Sequence, residues 1–529
     1  MDKTGCLEKL LKEKGLTRRE LIKGAAALGV ATALPASFLP DKAWAAVPKK
    51  GGTFKIGITG GETSDTPDPG LITQAFMQNV VWGQTHNHLV EINETGELVP
   101  ELAKSWEASK DAKTWRFELK KGIEFHSGKT MDAKDVVHSI YWHTGEKSKS
   151  TAKSLLNDVK DIRADGKDAV IFELENGNAD FAMYMSDYHF MIEPNGSKFD
   201  DFNGTGGYII KEFEPGVHAI TTRNPNYFKE GYAHFDEVRT IGIQDSVARL
   251  NALFTGAVDT IDRIDTKLAD RVAKSPGVQL ISVESGMHYN ELMQTDVAPF
   301  NDNNVRLAIK YAIDREQSVK LILNGHGYVG NDHPIGRNIP FFASDLEQRV
   351  YDPDKAKYYL KKAGLTKLDV EHPLITSGSA FPGGPDHAML FKEHAAKANI
   401  NIRIKRVPDD GFGTQYWNKV PFFQSYWNPR PTPDMMFTTA YISSSPWNET
   451  HFNHSKFEKL HREASVELDV NKRQEMYTEM QRILRDEGGA VISMFTNFIF
   501  AASKKLRFGE IGTNFDYDSQ KCAERWWFA

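Results

Sequence analysis

The chain is short of cysteine. Its 529 residues include only Cys6 and Cys522, so a disulfide framework is excluded. A chain this long buries enough apolar surface to fold without cross-links. A cationic excess is missing too: 65 Lys and Arg face 71 Asp and Glu, a formal charge of −6. Such a balance offers nothing to a nucleic-acid backbone or an anionic membrane face. Beyond the first forty residues there is no long apolar run, and mean hydropathy is −0.47, which predicts a soluble protein of two or three domains. Nucleophile-elbow GxSxG and zinc-binding HExxH patterns are absent, and no Cys/His or Ser/His/Asp set emerges from spacing. The reading is therefore of a non-enzyme, with no catalytic residues, no metal ligands and no cofactor.

What is present begins with an export signal. Arg18 and Arg19 stand in TRRELIK ahead of an apolar run over residues 24–39, and Ala43-Trp44-Ala45 supplies small residues for cleavage. That is the layout of a twin-arginine signal peptide over residues 1–45. The run is roughly sixteen residues and is interrupted by Pro35, short for a membrane span. No Cys follows it, so the mature protein is expected free in a periplasm. Cleavage after Ala45 removes Cys6, eight basic and five acidic residues, which makes the balance more negative still.

The mature chain reads as α/β. GGTFKIGI opens it as a strand, followed by the turn-rich loop GGETSDTPDPG. Residues 98–142 predict a short helix over 100–106, an alternating strand over 114–119, a short strand ending at Phe125 and a helix opening near Asp132. In WRFEL, Trp115, Phe117 and Leu119 share one face. Asp132 suits an N-cap, and Asp135 favours the first turn. FDEVRTIGIQDSVARLNALFTGAVDTI reads as strand, helix, strand, a crossover unit. Residues 299–319 predict one amphipathic helix with Val305, Ala308, Ile309, Ala312 and Ile313 on one face. A helix and strand follow over 351–378, and another long helix lies in DVNKRQEMYTEMQRILRDEGG.

The order of residues in LVPELAKSWEASKDAKTWRFELKKGIEFHSGKTMDAKDVV resembles a motif of the periplasmic solute-binding proteins that serve ABC importers for oligopeptides, dipeptides, nickel, opines and some glycosides (family 5). Leu98, Pro100, Leu102, Ala103, Ser105, Trp106, Glu107, Phe117, Leu119, Gly122, Phe125, His126, Gly128, Ala133, Asp135 and Val136 carry it. NGTGGYIIKEF with NPNYF, where Gly207 replaces the family's usual Pro, and PFNDNNVRLAIKYAIDREQSV resemble further family segments. The resemblance runs from Gly51 to about Phe500. It implies a two-lobed periplasmic binding protein of type II, cluster C, with an extra α+β subdomain in lobe I. Residues 46–83, 205–290 and 495–529 are assigned to lobe I, 84–204 to the extra subdomain and 291–494 to lobe II. It also implies a small-molecule ligand, the membrane permease subunits of an ABC importer as partners, a monomer and no nucleic acid.

Two motifs carry little. Gly325, Gly327 and Gly330 spell GxGxxG but follow a helix rather than a strand, against dinucleotide binding. His451 with His454, and His86 with His88, lack a carboxylate partner at fixed spacing.

One stretch fits a binding site. FFQSYWNPRPTPDMMF, residues 422–437, runs from an apolar strand into a loop stiffened by three prolines. Trp427 offers a stacking face, Asn428 two-way hydrogen bonding and Arg430 a planar fork for a carboxylate; the alternative is a rigid surface turn in which Arg430 pairs with a nearby acid. In peptide-binding relatives an aspartate near the start of this loop holds the ligand's amino terminus, and here Pro429 stands there. That departure favours an anionic or zwitterionic small ligand. Tyr426, Asp434, Tyr289, Asn290, Glu62, Thr63 and Ser379 complete the candidate ligand contacts. The expected function is capture of a polar, carboxylate-bearing solute (peptide-like, opine or amino-acid derivative) between closing lobes. The alternatives are a nickel or haem carrier and a twin-arginine-exported enzyme.

Overall fold

A computed structural model describes residues 48–378, 380–408 and 412–529. The export signal and Ser379 lie outside the described residues. Two large sheets organise the rest. The first has seven strands in the order Val278–Val283, Phe498–Ser503, Thr260–Ile261, Thr53–Ile58, Glu237–Gly242, His218–Arg223, Tyr208–Glu214. Thr53–Ile58 is parallel to both neighbours. The helix Ser246–Thr255 crosses over it, started by Asp245, which accepts from Ala248 N, and ended by Gly256 at φ 74°. That is the right geometry for a parallel crossover closed by a left-handed glycine. Phe54, Ile56 and Ile58 are fully buried and seed the core beneath, with Phe235, Phe500 and Trp526.

The second sheet has six strands in the order Gly327–Val329, Ala490–Thr496, His288–Met293, Phe422–Trp427, Leu374–Thr376, Ile404–Arg406. Every residue of His288–Met293 and Ala490–Thr496 is buried, as in strands covered on both faces. The polar members of the first strand are therefore held by side chains. Glu291 accepts from Gln424 Nε2 at 3.0 Å and its Oε1 lies 2.7 Å from His387 Nδ1.

The chain passes between the sheets twice. Val278–Val283 ends in the first and His288–Met293 begins in the second, while Asn497 alone separates Ala490–Thr496 from Phe498–Ser503. Ser285 Oγ donates to the Thr496 carbonyl at 2.8 Å, and Asn497 Nδ2 donates to Ser282 Oγ at 2.9 Å, tying the crossings side by side.

A four-stranded sheet, ordered Ala103–Ala108, Thr114–Leu119, Ala169–Leu174, Val159–Ala164, forms a third core. The alternation in WRFEL is as expected, with Trp115, Phe117 and Leu119 buried. Asp132 and Asp135 form a capping box on Ala133–Tyr141, which satisfies the free amides of its first turn.

Three expectations are corrected. Residues 100–106 are not a helix: strands Leu98–Pro100 and Ala103–Ala108 occupy the segment. A seven-residue stretch is too short to nucleate a helix alone, and pairing with Thr114–Leu119 takes it. The strand expected up to Phe125 is only an isolated bridge between Glu124 and Thr130. The single helix over 299–319 is two, Asn303–Tyr311 and Arg315–Ile322. Asp314 caps the second by accepting from Gln317 N, and this side-chain competition ends the first. A helix was also missed: Pro433–Ala440, with Thr432 as cap and Pro433 at its first position, follows directly on the proline-rich loop.

Candidate functional site

Parallel α/β sheets place ligands at the carboxyl ends of their strands. In the first lobe those ends are Thr59 after Thr53–Ile58 and Asp262-Arg263 after Thr260–Ile261. Asp262 is fully buried; its Oδ1 accepts from Thr59 N at 3.0 Å and lies 3.1 Å from Arg249 Nε. Burial pushes its carboxyl up to about 6 against the pull of Arg249. Arg263 engages a different carboxylate. Its Nε donates to Asp516 Oδ2 at 3.0 Å, and half of its side chain stays open to solvent. Burial works against its charge, but Asp516 and Asp262 outweigh that and hold it firmly protonated, with Tyr426 of the second lobe also in its field.

The backbone around this pair is unusual. Arg263 has φ 45°, and residues 517–520 have φ 60°, 58°, 51° and 61°. Each left-handed non-glycine residue costs about 1–2 kcal/mol, so such a run persists only where neighbours over-determine it. Here Tyr517 donates to Thr260 Oγ1 at 2.8 Å, and Trp526 Nε1 and Gly512 N donate to Asp518 at 2.7 and 2.8 Å. Phe515 and Asp516 lead into this turn. Phe515 packs edge-on to Tyr188 and Trp82, at 5.6 and 5.7 Å between ring centroids.

On the second lobe, antiparallel pairing sets Tyr426 opposite Tyr289 and Trp427 opposite His288. Tyr426 projects, 42% exposed, while Trp427 turns inward and is 7% exposed. Tyr289 stacks on Phe381 at 4.3 Å and 6°. Burial pushes its phenol up to about 12, and Arg263 and Asp516 are among the charges that reach it. Trp427 Nε1 donates to Glu449 Oε2 at 2.6 Å, and Trp417 Nε1 takes the other oxygen.

Arg430 is part-buried. Its Nη1 donates to the carbonyls of Asn428 and Pro429 at 3.3 and 3.2 Å, and its guanidinium carbon stands 5.7 Å from the Trp427 ring centroid. Among the described residues no carboxylate lies within ion-pair distance of it. Burial pushes its pKa down; Tyr188 and Asp187 are the acidic groups whose field reaches it. Asp187 is already engaged by His189. His288, pushed down to about 4 by burial, stays neutral beside it.

Arg430, Asn428, Tyr426 and Tyr289 are thus brought to one region, with Trp427 beneath Arg430 rather than facing outward. The other expected contacts are placed elsewhere. Asp434 is 1% exposed and takes bonds from Tyr184 at 2.9 Å and Ser465 at 2.7 Å, with His461 at 3.3 Å. Burial disfavours its charge, but His461 and these bonds hold it down to about 2. Its place is a buried junction between the four-stranded module and the second lobe. Asn290 is fully buried in the middle of its strand, with no hydrogen bond to either amide atom among the described residues. Glu62 and Thr63 are exposed on a loop packed over the Gly216 turn, and Glu62 bonds within its own neighbourhood, to Ser64 and Gln74. Sequence reasoning missed Arg263, Asp516, Tyr188, Phe515 and Glu449. Arg263 could have been found, because DTIDR ends a crossover strand; the others are gathered only by the fold.

Two sheets joined by paired crossings are the architecture of a two-lobed binding protein. The chain belongs to the bacterial extracellular solute-binding proteins, family 5, whose middle-region model matches residues 97–449, and it is the substrate-binding component of an ABC importer. It is similar to the nickel-binding periplasmic protein of Escherichia coli K12, 26% identical over 56% of this chain and 59% of that protein. It is also similar to heme-binding protein A of Haemophilus influenzae, 24% identical over 85% of this chain and 88% of that one. Among solved structures it shares its fold with a periplasmic binding protein of A. tumefaciens R10 in complex with agropinic acid (TM-score 0.75, 23% identity, 90% of this chain and 99% of that one). An ABC transporter-associated periplasmic binding protein of Helicobacter pylori, in complex with the peptide STSA, gives TM-score 0.76 at 21% identity, over 90% of this chain and 98% of that one. Members of this family are periplasmic or extracellular. Among the described residues no helix is long and apolar enough to cross a membrane.

Proposed function

We propose that this chain captures a small polar solute bearing a carboxylate, of the opine, peptide-like or modified amino-acid class, and that Arg430 is its anchor. The observation that carries this reading is a part-buried guanidinium supported by two backbone carbonyls and an indole face, with no carboxylate partner among the described residues. A partly dehydrated cation with no carboxylate in ion-pair contact favours an anionic ligand. Pro429 in place of a peptide-binding aspartate works in the same direction. Residues 84–204 would form the extra subdomain of lobe I, the signal over residues 1–45 would deliver the chain to the periplasm, and it would act there as a monomer.

The test is calorimetry on a ligand found by thermal-shift screening of opines, dipeptides and modified amino acids. Truncating one side of a buried charged pair costs about 2–5 kcal/mol, so Arg430→Ala should weaken the acid by about 1.5 to 3.5 decades. Arg430→Lys should recover only part of this, because an ammonium lacks the fork. If acid and neutral amide lose the same factor, the carboxylate assignment is wrong. A nickel or haem carrier is the second reading, favoured by the two relatives so named. Among the described residues no group of three or more His, Cys, Asp or Glu side chains converges on a metal position. Metal analysis and a visible spectrum of protein purified from its native periplasm decide between them.

A further inference from the structure

We propose that the ligand carries two acidic groups, the second of them taken by Arg263 of the first lobe. The proposal rests on the reading of Arg430 as the first anchor. The neighbours between Arg263 and Arg430 can be followed on both sides. From Arg430 the acidic groups whose field reaches it are Tyr188 and Asp187; Tyr188 packs on Phe515, the residue before Asp516, and Asp516 holds Arg263. On the other side Tyr426, within the field of Arg263, precedes Trp427, over which Arg430 stands. The two guanidinium groups therefore bracket an aromatic stretch, one from each lobe.

The chemistry of the first-lobe end is set by which edge of Arg263 is in use. Nε is bonded to Asp516, which is itself only 5% exposed, so that carboxylate is spent on the inner edge. Asp262 is engaged by Arg249 and the Thr59 amide. The two Nη groups make no hydrogen bond among the described residues, and half of the side chain is open. A guanidinium fixed through one edge presents the other as a two-pronged donor matched to a carboxylate. Backbone strain converges here as well, with Arg263 and residues 517–520 all at left-handed φ. Such strain persists where structure serves positioning. A carboxylate on each lobe would also make closure ligand-dependent, because only the closed state offers both contacts at once.

The experiment uses the mature full-length chain at fixed ionic strength, titrated with linear α,ω-dicarboxylates of increasing length, their monoamides and the matching ω-amino acids. One diacid length should bind wild type at least about tenfold more tightly than its monoamide and should compact the protein in small-angle scattering. In Arg263→Gln the diacid should fall to the level of the monoamide, and Arg263→Lys, which keeps a cation beside Asp516, should fall nearly as far. Arg430→Ala should weaken both diacid and monoamide, each of which seats a carboxylate there in wild type, and should leave the fully neutral diamide unchanged. Equal binding of diacid and monoamide to wild type, including no binding of either, overturns the proposal. So does an equal loss of both in Arg263→Gln, which would make Arg263 a structural partner of Asp516, or tighter binding of the ω-amino acid, which would give that end to Asp516. If Arg430→Ala changes neither ligand, the anchor itself is refuted and the two-acid ligand with it.

Discussion

Glu449 gives the chain a stability term that works against neutral pH. It is 3% exposed and held between two indoles, Trp427 Nε1 on one oxygen and Trp417 Nε1 on the other. Burial outweighs these bonds, and a further one with Ser425, and lifts its carboxyl from 4.5 to about 7. A group whose folded-state pKa is raised stabilises the fold fully below its unfolded value, and that contribution is lost as the pH rises through the folded one. At about 1.4 kcal/mol per pH unit, wild type should lose about 3 kcal/mol of this contribution between pH 4.5 and 8. Glu449→Gln has no proton to release. Its amide oxygen can serve one indole and leaves the other N–H unpaired, a pH-independent cost of about 1–3 kcal/mol. Urea unfolding of both proteins across that pH range should show the stability difference, wild type minus variant, falling by about 3 kcal/mol as pH rises. Tryptophan emission of the native wild type should titrate near pH 7, and that of the variant should not. A stability difference that stays flat from pH 4.5 to 8 would refute the reasoning.

Other outcomes follow from single contacts. Asp434→Asn should destabilise the chain by about 2–3 kcal/mol at pH 7, the size of a carboxyl held from 3.8 down to about 2. Because that value is depressed, the term is present above 3.8 and lost as pH falls through about 2, so unfolding curves of wild type and variant should converge on acidification. Ligand affinity of the folded variant should be unchanged; a tenfold loss would return Asp434 to the binding site. Gly83→Ala would place a Cβ 2.2 Å from the Gln520 carbonyl, and overpacking of this kind costs about 1–3 kcal/mol. A lowered denaturation midpoint checks that, and an unchanged one would mean that the left-handed turn yields easily.

The sequence by itself determined the elements whose signals are local. WRFEL alternates, so Trp115, Phe117 and Leu119 had to share a face, and Asp132 had to cap a helix because its carboxylate reaches the next free amides. The family was legible in the same way, because its motif lies in contiguous scaffold. Arg430 on a proline-stiffened loop was legible as residue chemistry. Tertiary structure decided what depends on partners far along the chain. Whether Arg430 had an acid beside it, whether Trp427 or Tyr426 faced outward, and that Asp434 serves Tyr184 across 250 positions are properties of packing. Nothing local distinguishes Asp516 from any other aspartate until a left-handed turn, costly in isolation, is held by Thr260, Gly512 and Trp526 and sets it against Arg263. Periodicity and capping are written within a few residues of each other, whereas a site between two lobes exists only once strands hundreds of residues apart have closed their sheets.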